Sequence, residues 1–468
     1  MRITLSRSMA SVALGALAFA GACKEATSVP DLNNLPSSAI SAGLTPTTFA
    51  LLTTGMLNSD RGNLSFNYLV ASETMARDVY NIDPSENRYI TEYIGGTIDP
   101  SAFTGGGSFT GLYQTVRTAN TILDNLNGLS SSLTADEIAA SRGLVRTIKA
   151  QALYRVFALR GPNGIAIDVD HPITAPPAPL LCQTSALAAI SGLLDSANTD
   201  LQQAAASNTA FPAALTLPAG FTTNGNFATP AGFAQFNRGL KGRVEVVRGI
   251  LGRAQSYTDA ITALNASFLS TTGDLTAGPY YTYSTAANET ANPLSAVTIY
   301  LNPKLGDSVQ TGDARASKIT TVKAITKFGV TTTYKSPLAS TSNLTGSIPI
   351  IRNAELILLR AQANIGLGNL AAAAADINVV RTREGGPALA AIAVPADANT
   401  AISEVLYEKR YSLLLTNASR LVDLRSYGRL SSTYYAKEIS SDLFNSALPI
   451  PLGEQNARSG NLTLTCGS

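Results

Sequence analysis

Apolar residues recur every three or four positions along much of the chain, which is the spacing of one face of an α-helix. One such face lies in "LYQTVRTANTILDNL" and consists of Leu112, Val116, Ala119, Leu123 and Leu126. The next has the same spacing and consists of Val145, Ile148, Ala152, Val156 and Leu159. Gly161 and Pro162 follow directly and predict the end of that helix. A third, Ala-rich and Leu-rich helix is predicted over residues 185–206.

Two further segments predict helical hairpins, because each contains a helix, a short break and a second helix. The break lies near Gly252 in residues 244–268 and at Gly368 in residues 354–381. Alanines follow each break, and small side chains allow two antiparallel helices to lie close together, as in tetratricopeptide repeats. The copies are too diverged and too far apart for a tandem array. The sequence therefore predicts a mostly α-helical scaffold of tetratricopeptide-like hairpins.

Long segments without helical spacing separate the predicted helices. They are rich in Gly, Pro, Thr, Asn and Tyr, and the main ones lie near residues 206–236 and 270–347. Long irregular segments inside a folded domain usually carry function. We therefore predict loop-rich insertions at these two places and look for a binding surface there.

The first residues have the pattern of an export signal. Arg2 and Arg7 precede an apolar run over residues 9–22, which is too short to span a membrane with margin. Three small residues come before Cys23, so residues 1–22 look like a bacterial lipoprotein signal peptide and Cys23 like the site of lipid attachment. The alternative is an ordinary signal peptide with a chance cysteine. Residues 23–45, rich in Ser, Pro, Asn and Thr, suit a tether.

The composition of the chain argues against several classes of function. The 468 residues carry a formal net charge of +2 and no basic block, so nucleic acid is not an expected partner. His171 is the single histidine, and no Cys and His spacing typical of a metal site occurs. No nucleophile elbow or P-loop is present. In an oxidising compartment Cys182 and Cys466 are candidates for a disulfide, with two free buried thiols as the alternative.

Four stretches, in this order, resemble the SusD/RagB family of outer-membrane nutrient-binding lipoproteins. They are "RGLVRTIKAQALYRVFALRGPNGIAID", "IPIIRNAELILLRAQANIGLGNLAAAAADINVVRTREG", "AISEVLYEKRYSLLLTNASRLVDLRSYGRL" and "NSALPIPLGEQNA". The resemblance covers most of the chain after the signal and implies a single SusD-like helical domain over residues 46–468. One departure is local, because Thr416 to Ser419 stand where the family often has an acidic residue, glycines and a histidine.

The resemblance also implies a function and a location. A family member is anchored by lipid in the outer membrane, exposed at the cell surface, and lies as a lid on a TonB-dependent, SusC-like barrel transporter. It captures a glycan or peptide and delivers it to the barrel. Neither catalysis nor a cofactor is implied. Two other classes stay open: a helical scaffold that holds other envelope proteins, and a surface glycan hydrolase.

Tyrosines in the irregular segments are the candidate ligand contacts, because a tyrosine offers a flat apolar ring with a polar tip. The candidates from both groups, together with two charged neighbours able to pair sugar hydroxyls, are Arg77, Asp78, Tyr80, Tyr89, Tyr280, Tyr281 and Tyr283. The alternative is that these tyrosines cover the scaffold or contact the barrel. A dense group of charges at helical spacing is interpreted as a structural ion-pair network: Glu408, Arg410, Arg420, Asp423 and Arg425.

Overall fold

Helices are the main elements of the computed structural model, which describes residues 43–172, 174–287 and 289–467, and the mostly α-helical prediction is confirmed. In chain order the helices are α1 (Pro46–Asn63), α2 (Phe66–Met75), α3 (Arg88–Thr91), α4 (Phe103–Gly106), α5 (Thr110–Asn125), α6 (Ala135–Arg160), α7 (Gln183–Ala206), α8 (Pro230–Ile250), α9 (Gln255–Asn265), α10 (Pro303–Asp307), α11 (Asn353–Gly366), α12 (Leu370–Glu384), α13 (Ala398–Ser412), α14 (Ser419–Ser426) and α15 (Leu452–Ala457). The predicted signal peptide, Cys23 and the tether up to residue 42 lie outside the described residues.

Side-chain caps fix where two of the long helices begin. At the start of α6, the Thr134 hydroxyl accepts a hydrogen bond from the Glu137 N–H, and the Glu137 carboxylate accepts one from the Thr134 N–H. Thr229 caps α8, and Pro230 is its first residue. Helix α8 therefore begins inside the segment 206–236, so the predicted end of that insertion was wrong. The Thr-Pro pair was the signal for the earlier start.

Both predicted hairpins are present, as α8 with α9 and as α11 with α12. They meet at the ring of Tyr257. A Cβ atom at Gly249 would lie 2.5 Å from this ring, and one at Gly366 would lie 2.3 Å from it. Only glycine leaves room for the ring on both sides. Within the second hairpin, Arg360 and Asp376 form an ion pair of 2.6 Å that joins its two helices.

One part of the apolar core lies between α11, α12 and α13. Ile357, Leu358, Ile377 and Val405 are fully buried there, with no exposed surface. They come from all three helices, so the second hairpin and α13 bury a shared face. This burial supplies the main driving force for holding the three helices together.

Small sheets connect the loops between helices. The strands are β1 (Val79–Asn81), β2 (Ile165–Ala166), β3 (Leu180–Leu181), β4 (Tyr280–Tyr281), β5 (Ile299–Leu301), β6 (Thr320–Lys327), β7 (Val330–Lys335), β8 (Ile348–Pro349) and β9 (Leu464–Thr465). The largest sheet has the order β1-β5-β7-β6, with antiparallel neighbours. The segment 270–347 is therefore not irregular throughout, and that part of the prediction was wrong.

A two-residue turn explains the β6–β7 hairpin inside that segment. Lys327 and Val330 are paired across the strands, and Phe328 and Gly329 between them have φ values of 53° and 85°. Positive φ at both turn positions matches the twist of a hairpin. Phenylalanine is uncommon in this conformation. Here its ring packs beside a cluster of buried apolar residues, which compensates for the backbone strain.

Two arginines together join three of the stretches that carry the family resemblance. Arg160, at the end of α6, donates hydrogen bonds to the carbonyl oxygens of Gly105 (2.8 Å), Gly107 (2.6 Å) and Pro449 (3.1 Å). From α14, Arg425 donates to the carbonyl oxygen of Ala158, also in α6, at 3.0 Å. Stretches far apart in sequence are thus connected by guanidinium-to-carbonyl bonds.

The C-terminal residues pair with the segment before α7. Strand β9 runs parallel to β3, with Leu464 opposite Leu180. Beside this pairing, the Cα atoms of Cys182 and Cys466 are 5.3 Å apart, within the range that a disulfide requires. The geometry suits the predicted bridge, which would join residues separated by 284 positions.

Candidate functional site

Four of the five dense charges of α13 and α14 form ion pairs as predicted, whereas Arg425 donates to backbone carbonyl oxygens instead. Glu408 has no exposed surface and pairs with Arg315 at 2.6 Å and with Arg381 at 2.9 Å. Lys409 pairs with Asp423 at 2.6 Å. These pairs connect α12, α13, α14 and the loop before β6.

Two of the predicted ligand residues belong to the same kind of network. Asp78 is buried and pairs with Arg410 at 2.7 Å and with Arg420 at 3.5 Å. Arg77 has no exposed surface and pairs with Asp442 at 2.7 Å. Both side chains stabilise the fold, so their assignment as ligand contacts is corrected here.

Tyr80 is also buried, and it is part of the β1–β5 sheet. It lies opposite Tyr300 in the β1–β5 pairing, and its hydroxyl donates a hydrogen bond to Glu438 at 2.6 Å. Burial, and then the negative charge of Glu438, raise the pKa of the Tyr80 phenol far above its ordinary value. The ring does not face solvent, and its assignment as a ligand contact is corrected as well.

Tyr281 and Tyr283 point into the interior beside α1 and α6. The Tyr281 hydroxyl donates a short hydrogen bond to Asp60 and accepts one from Arg155 at 2.6 Å. Burial raises the pKa of the Asp60 carboxyl, although Arg155 opposes the shift. Tyr283 is 6% exposed, and burial raises the pKa of its phenol. The alternation of a short strand explains why these two rings turn inward while Tyr280 does not.

Tyr89 is half-buried and lies in an aromatic patch made of Phe66, Tyr89 and Phe103. The Tyr89 ring contacts Phe66 and Phe103 edge to face, with centroids 5.7 Å and 5.2 Å away. The Arg88 guanidinium lies 4.7 Å from the Phe103 ring centre. Asn67 accepts a long hydrogen bond from the Tyr89 hydroxyl, at 3.4 Å. The patch combines apolar rings with polar groups at its border.

Tyr280 is half-buried and lines a cleft of about 570 Å³, which we call the Tyr280 cleft. Its hydroxyl donates a hydrogen bond to the carbonyl oxygen of Thr276 at 2.7 Å, which fixes the ring. Pro337 and Leu338 supply further apolar wall, and Leu338 is 40% exposed. The predicted insertion 270–347 thus forms much of the cleft, whose volume is within the range of small-ligand sites.

An ion pair and a lysine give the Tyr280 cleft its charge. Arg352 pairs there with Glu384, and its guanidinium also donates to the carbonyl oxygen of Ser412 at 2.7 Å. Burial would raise the pKa of Glu384, but hydrogen bonding and attraction from Arg352 outweigh it and hold the pKa below its ordinary value. Lys318 donates to the carbonyl oxygens of Tyr411 (2.7 Å) and Ser412 (2.9 Å).

Sequence reasoning found Tyr280 but not its neighbours in the cleft. Lys318 precedes β6, Leu338 follows β7, and Arg352 precedes α11. No spacing rule relates these positions, because sheet pairing and the hairpin scaffold bring them together. In the sequence, these cleft residues are indicated only by their position in or next to the insertion 270–347.

Two further properties bear on the site. Within residues 43–172, 174–287 and 289–467, no three His, Cys, Asp or Glu side chains are grouped as a metal site requires. Over the same residues, none of the helices combines the length and apolar character needed to cross a bilayer.

This architecture is similar to that of known proteins. The model of the SusD family matches residues 280–447, which include most of the Tyr280 cleft. No curated protein sequence matches the chain. A SusD superfamily protein from Bacteroides thetaiotaomicron VPI-5482 shares the fold with a TM-score of 0.66 at 15% identity, over 89% of this chain and 99% of that chain.

Two structures from Bacteroides vulgatus ATCC 8482 are similar to the same extent. A SusD superfamily protein has a TM-score of 0.62 at 15% identity, over 90% of this chain and 98% of that one. A "Putative sugar binding protein" has a TM-score of 0.59 at 15% identity, over 88% of this chain and 96% of that one. The SusD family model thus matches residues 280–447 of this chain, and the solved structures share the fold of most of it.

Proposed function

We propose that this protein is a nutrient-binding lipoprotein that holds a glycan or peptide in the Tyr280 cleft and delivers it to a TonB-dependent barrel transporter. Binding without catalysis is the proposed activity. The match of residues 280–447 to the SusD family supports the role. The naming of one similar structure as a sugar binding protein agrees with it.

The observation that carries the proposal is the composition of the cleft wall. The Tyr280 ring, Pro337 and Leu338 form an apolar surface, and the polar residues Thr276 and Ser336 also line the cleft. A sugar ring has an apolar face bordered by hydroxyls, so both parts of this wall have a counterpart on the ligand. The volume of about 570 Å³ accommodates more than one sugar residue or a short peptide.

The proposed location is the outer membrane, with lipid on Cys23 as the anchor. Two or more acyl chains hold a protein on a membrane firmly, since each buried CH₂ contributes about 0.8 kcal/mol. The SusC-like partner follows from the family resemblance. Purifying the tagged protein from outer membranes in mild detergent tests it: a large TonB-dependent barrel among the co-purified proteins supports delivery. Other envelope proteins in its place would favour the scaffold alternative.

Binding is tested with the mature protein on an array of plant, fungal and bacterial glycans and with a library of short peptides, followed by calorimetry on hits. Tyr280→Ala should weaken binding at least about tenfold, because it removes one wall of the cleft. Tyr280→Phe keeps the ring and should retain most of the affinity. Tyr434→Ala is the matched control, since Tyr434 is 52% exposed and lies outside the cleft.

A second surface is tested in the same experiment. Tyr89→Ala removes the centre of the aromatic patch, whose rings and bordering polar groups also suit a sugar. Loss of affinity in Tyr89→Ala with an unchanged Tyr280→Ala would move the proposed site to the patch. If all four variants bind as the wild type does, both surfaces are rejected.

A further inference from the structure

Lys318 differs from the other charged groups at the Tyr280 cleft in having no carboxylate partner. Its ammonium group donates to two backbone carbonyl oxygens, and among the described residues no carboxylate oxygen lies within 4.0 Å of it. The side chain is half-buried at the cleft wall. Carbonyl oxygens satisfy two of its three donors, whereas Glu384 and Asp313 act on its charge only from beyond ion-pair distance.

The surrounding charges are already paired with one another. Arg352 pairs with Glu384, and Arg315 pairs with Asp313 at 2.8 Å and with Glu408 at 2.6 Å. Each of these carboxylates thus already has an arginine as its direct partner. Burial, and after it the positive charge of Arg352, lower the pKa of the Lys318 ammonium to about 8, so it is mostly charged at neutral pH.

We infer that the Tyr280 cleft binds a carboxylate-bearing ligand, with the carboxylate on Lys318; this inference rests on the proposed function. A carboxylate at the ammonium would use its third donor and place a negative charge in direct contact with it. The apolar wall of Tyr280, Pro337 and Leu338 would hold the rest of the ligand. A uronic acid in a glycan and the C-terminus of a peptide share this chemistry.

The test uses pairs of probes that differ only in charge. One pair is an oligogalacturonide and its carboxyl-reduced neutral counterpart, and the other is a tripeptide with a free C-terminus and its amide. Calorimetry should show the charged member of one pair binding roughly tenfold more tightly to the wild type, the size of one charge-assisted hydrogen bond. The pair that responds identifies the source of the carboxylate.

Two variants assign the effect to Lys318. Lys318→Gln keeps a donor for the carbonyl oxygens of Tyr411 and Ser412 but removes the charge, so it should lose the roughly tenfold preference for the charged probe. Lys318→Arg keeps the charge and should keep the preference. Thermal unfolding of both variants checks that the fold is intact.

The outcomes separate the two proposals. Equal binding of charged and neutral probes by the wild type, or the same preference in Lys318→Gln, overturns the inference. If neutral glycans then still bind in a manner that depends on Tyr280, the proposed function stands without it. If none of the four probes binds the wild type, the carboxylate site is rejected and the glycan array alone decides the function.

Discussion

Arg160 donates a hydrogen bond of 3.1 Å to the carbonyl oxygen of Pro449, 289 residues further along the chain. Its other donors also end on carbonyl oxygens, and it has no exposed surface. Burial lowers the pKa of this guanidinium to about 10, but it stays charged at neutral pH. The carbonyl oxygens around the charged guanidinium take the place of the water molecules that burial removes.

Replacing Arg160 should therefore destabilise the protein strongly. Arg160→Met leaves several buried carbonyl oxygens without donors, and each unsatisfied group costs about 1–3 kcal/mol. We expect a loss of about 3 kcal/mol or more in the free energy of unfolding, measured by denaturant titration. Arg383→Met is the matched control, because Arg383 also donates to two carbonyl oxygens but is exposed. Equal effects of both substitutions would contradict this account.

Asp313 should contribute stability that depends on pH. Burial would raise the pKa of its carboxyl, but hydrogen bonds from Arg315 and Tyr407 outweigh it and lower the pKa below the ordinary 3.8. A lowered pKa in the folded state means that the contribution is complete above pH 3.8 and is lost as the pH falls further. Asp313→Asn should cost about 2 kcal/mol at pH 7.

The measurement is the difference in unfolding free energy between wild type and Asp313→Asn at several pH values. The difference should be constant from pH 5 to 7 and shrink below about pH 4. Asp259→Asn breaks an exposed pair with Arg253 and should change stability by less than about 1 kcal/mol. A difference for Asp313→Asn that persists undiminished at pH 3 would show that its charge is not the cause.

The predicted bridge between Cys182 and Cys466 is testable by counting thiols. In the mature protein with Cys23 replaced by serine, denatured but unreduced material should show no free thiol. Cys182→Ser should expose one thiol and lower the unfolding free energy by about 2–4 kcal/mol, since the bridge would close a long loop. Two free thiols in the parent protein would establish the alternative.

Cys23→Ser should release the protein from membranes. The substitution removes the thiol that would carry lipid and leaves the export signal unchanged, so the protein should fractionate with the soluble envelope contents. Cell fractionation and metabolic labelling with a fatty acid measure the result. Lys24→Ser, which keeps the thiol, should stay on the membrane. Cys23→Ser protein that remains in the outer membrane would refute the lipid anchor.

The helices could be predicted because their evidence is local. The spacing of Val145, Ile148 and Ala152 needs no knowledge of the rest of the chain, and α6 contains all three. The β6–β7 hairpin was missed because β6 is mostly exposed and lacks a regular apolar alternation. Its Phe328-Gly329 turn also departs from the usual turn residues.

The site could be predicted only to the level of a segment. The sequence indicated the insertion 270–347, but three adjacent tyrosines looked equivalent. Strand alternation separates them, so Tyr281 and Tyr283 turn inward and Tyr280 lines the cleft. Arg77 and Asp78 looked like free polar groups, because their partners Asp442 and Arg410 are more than 300 positions away.

The carbonyl contacts of Arg160 have a consequence for the order of folding. A ribosome makes α6 long before it makes Pro449, so during synthesis this arginine lacks one of its final acceptors until almost the whole chain exists. The same holds for the bond from the Leu448 N–H to the Leu159 carbonyl oxygen, 2.8 Å in the finished fold. Contacts of such long range form late and slowly. A chain whose interior is completed by residues made so late stays loose for longer, which would suit the export predicted from residues 1–22.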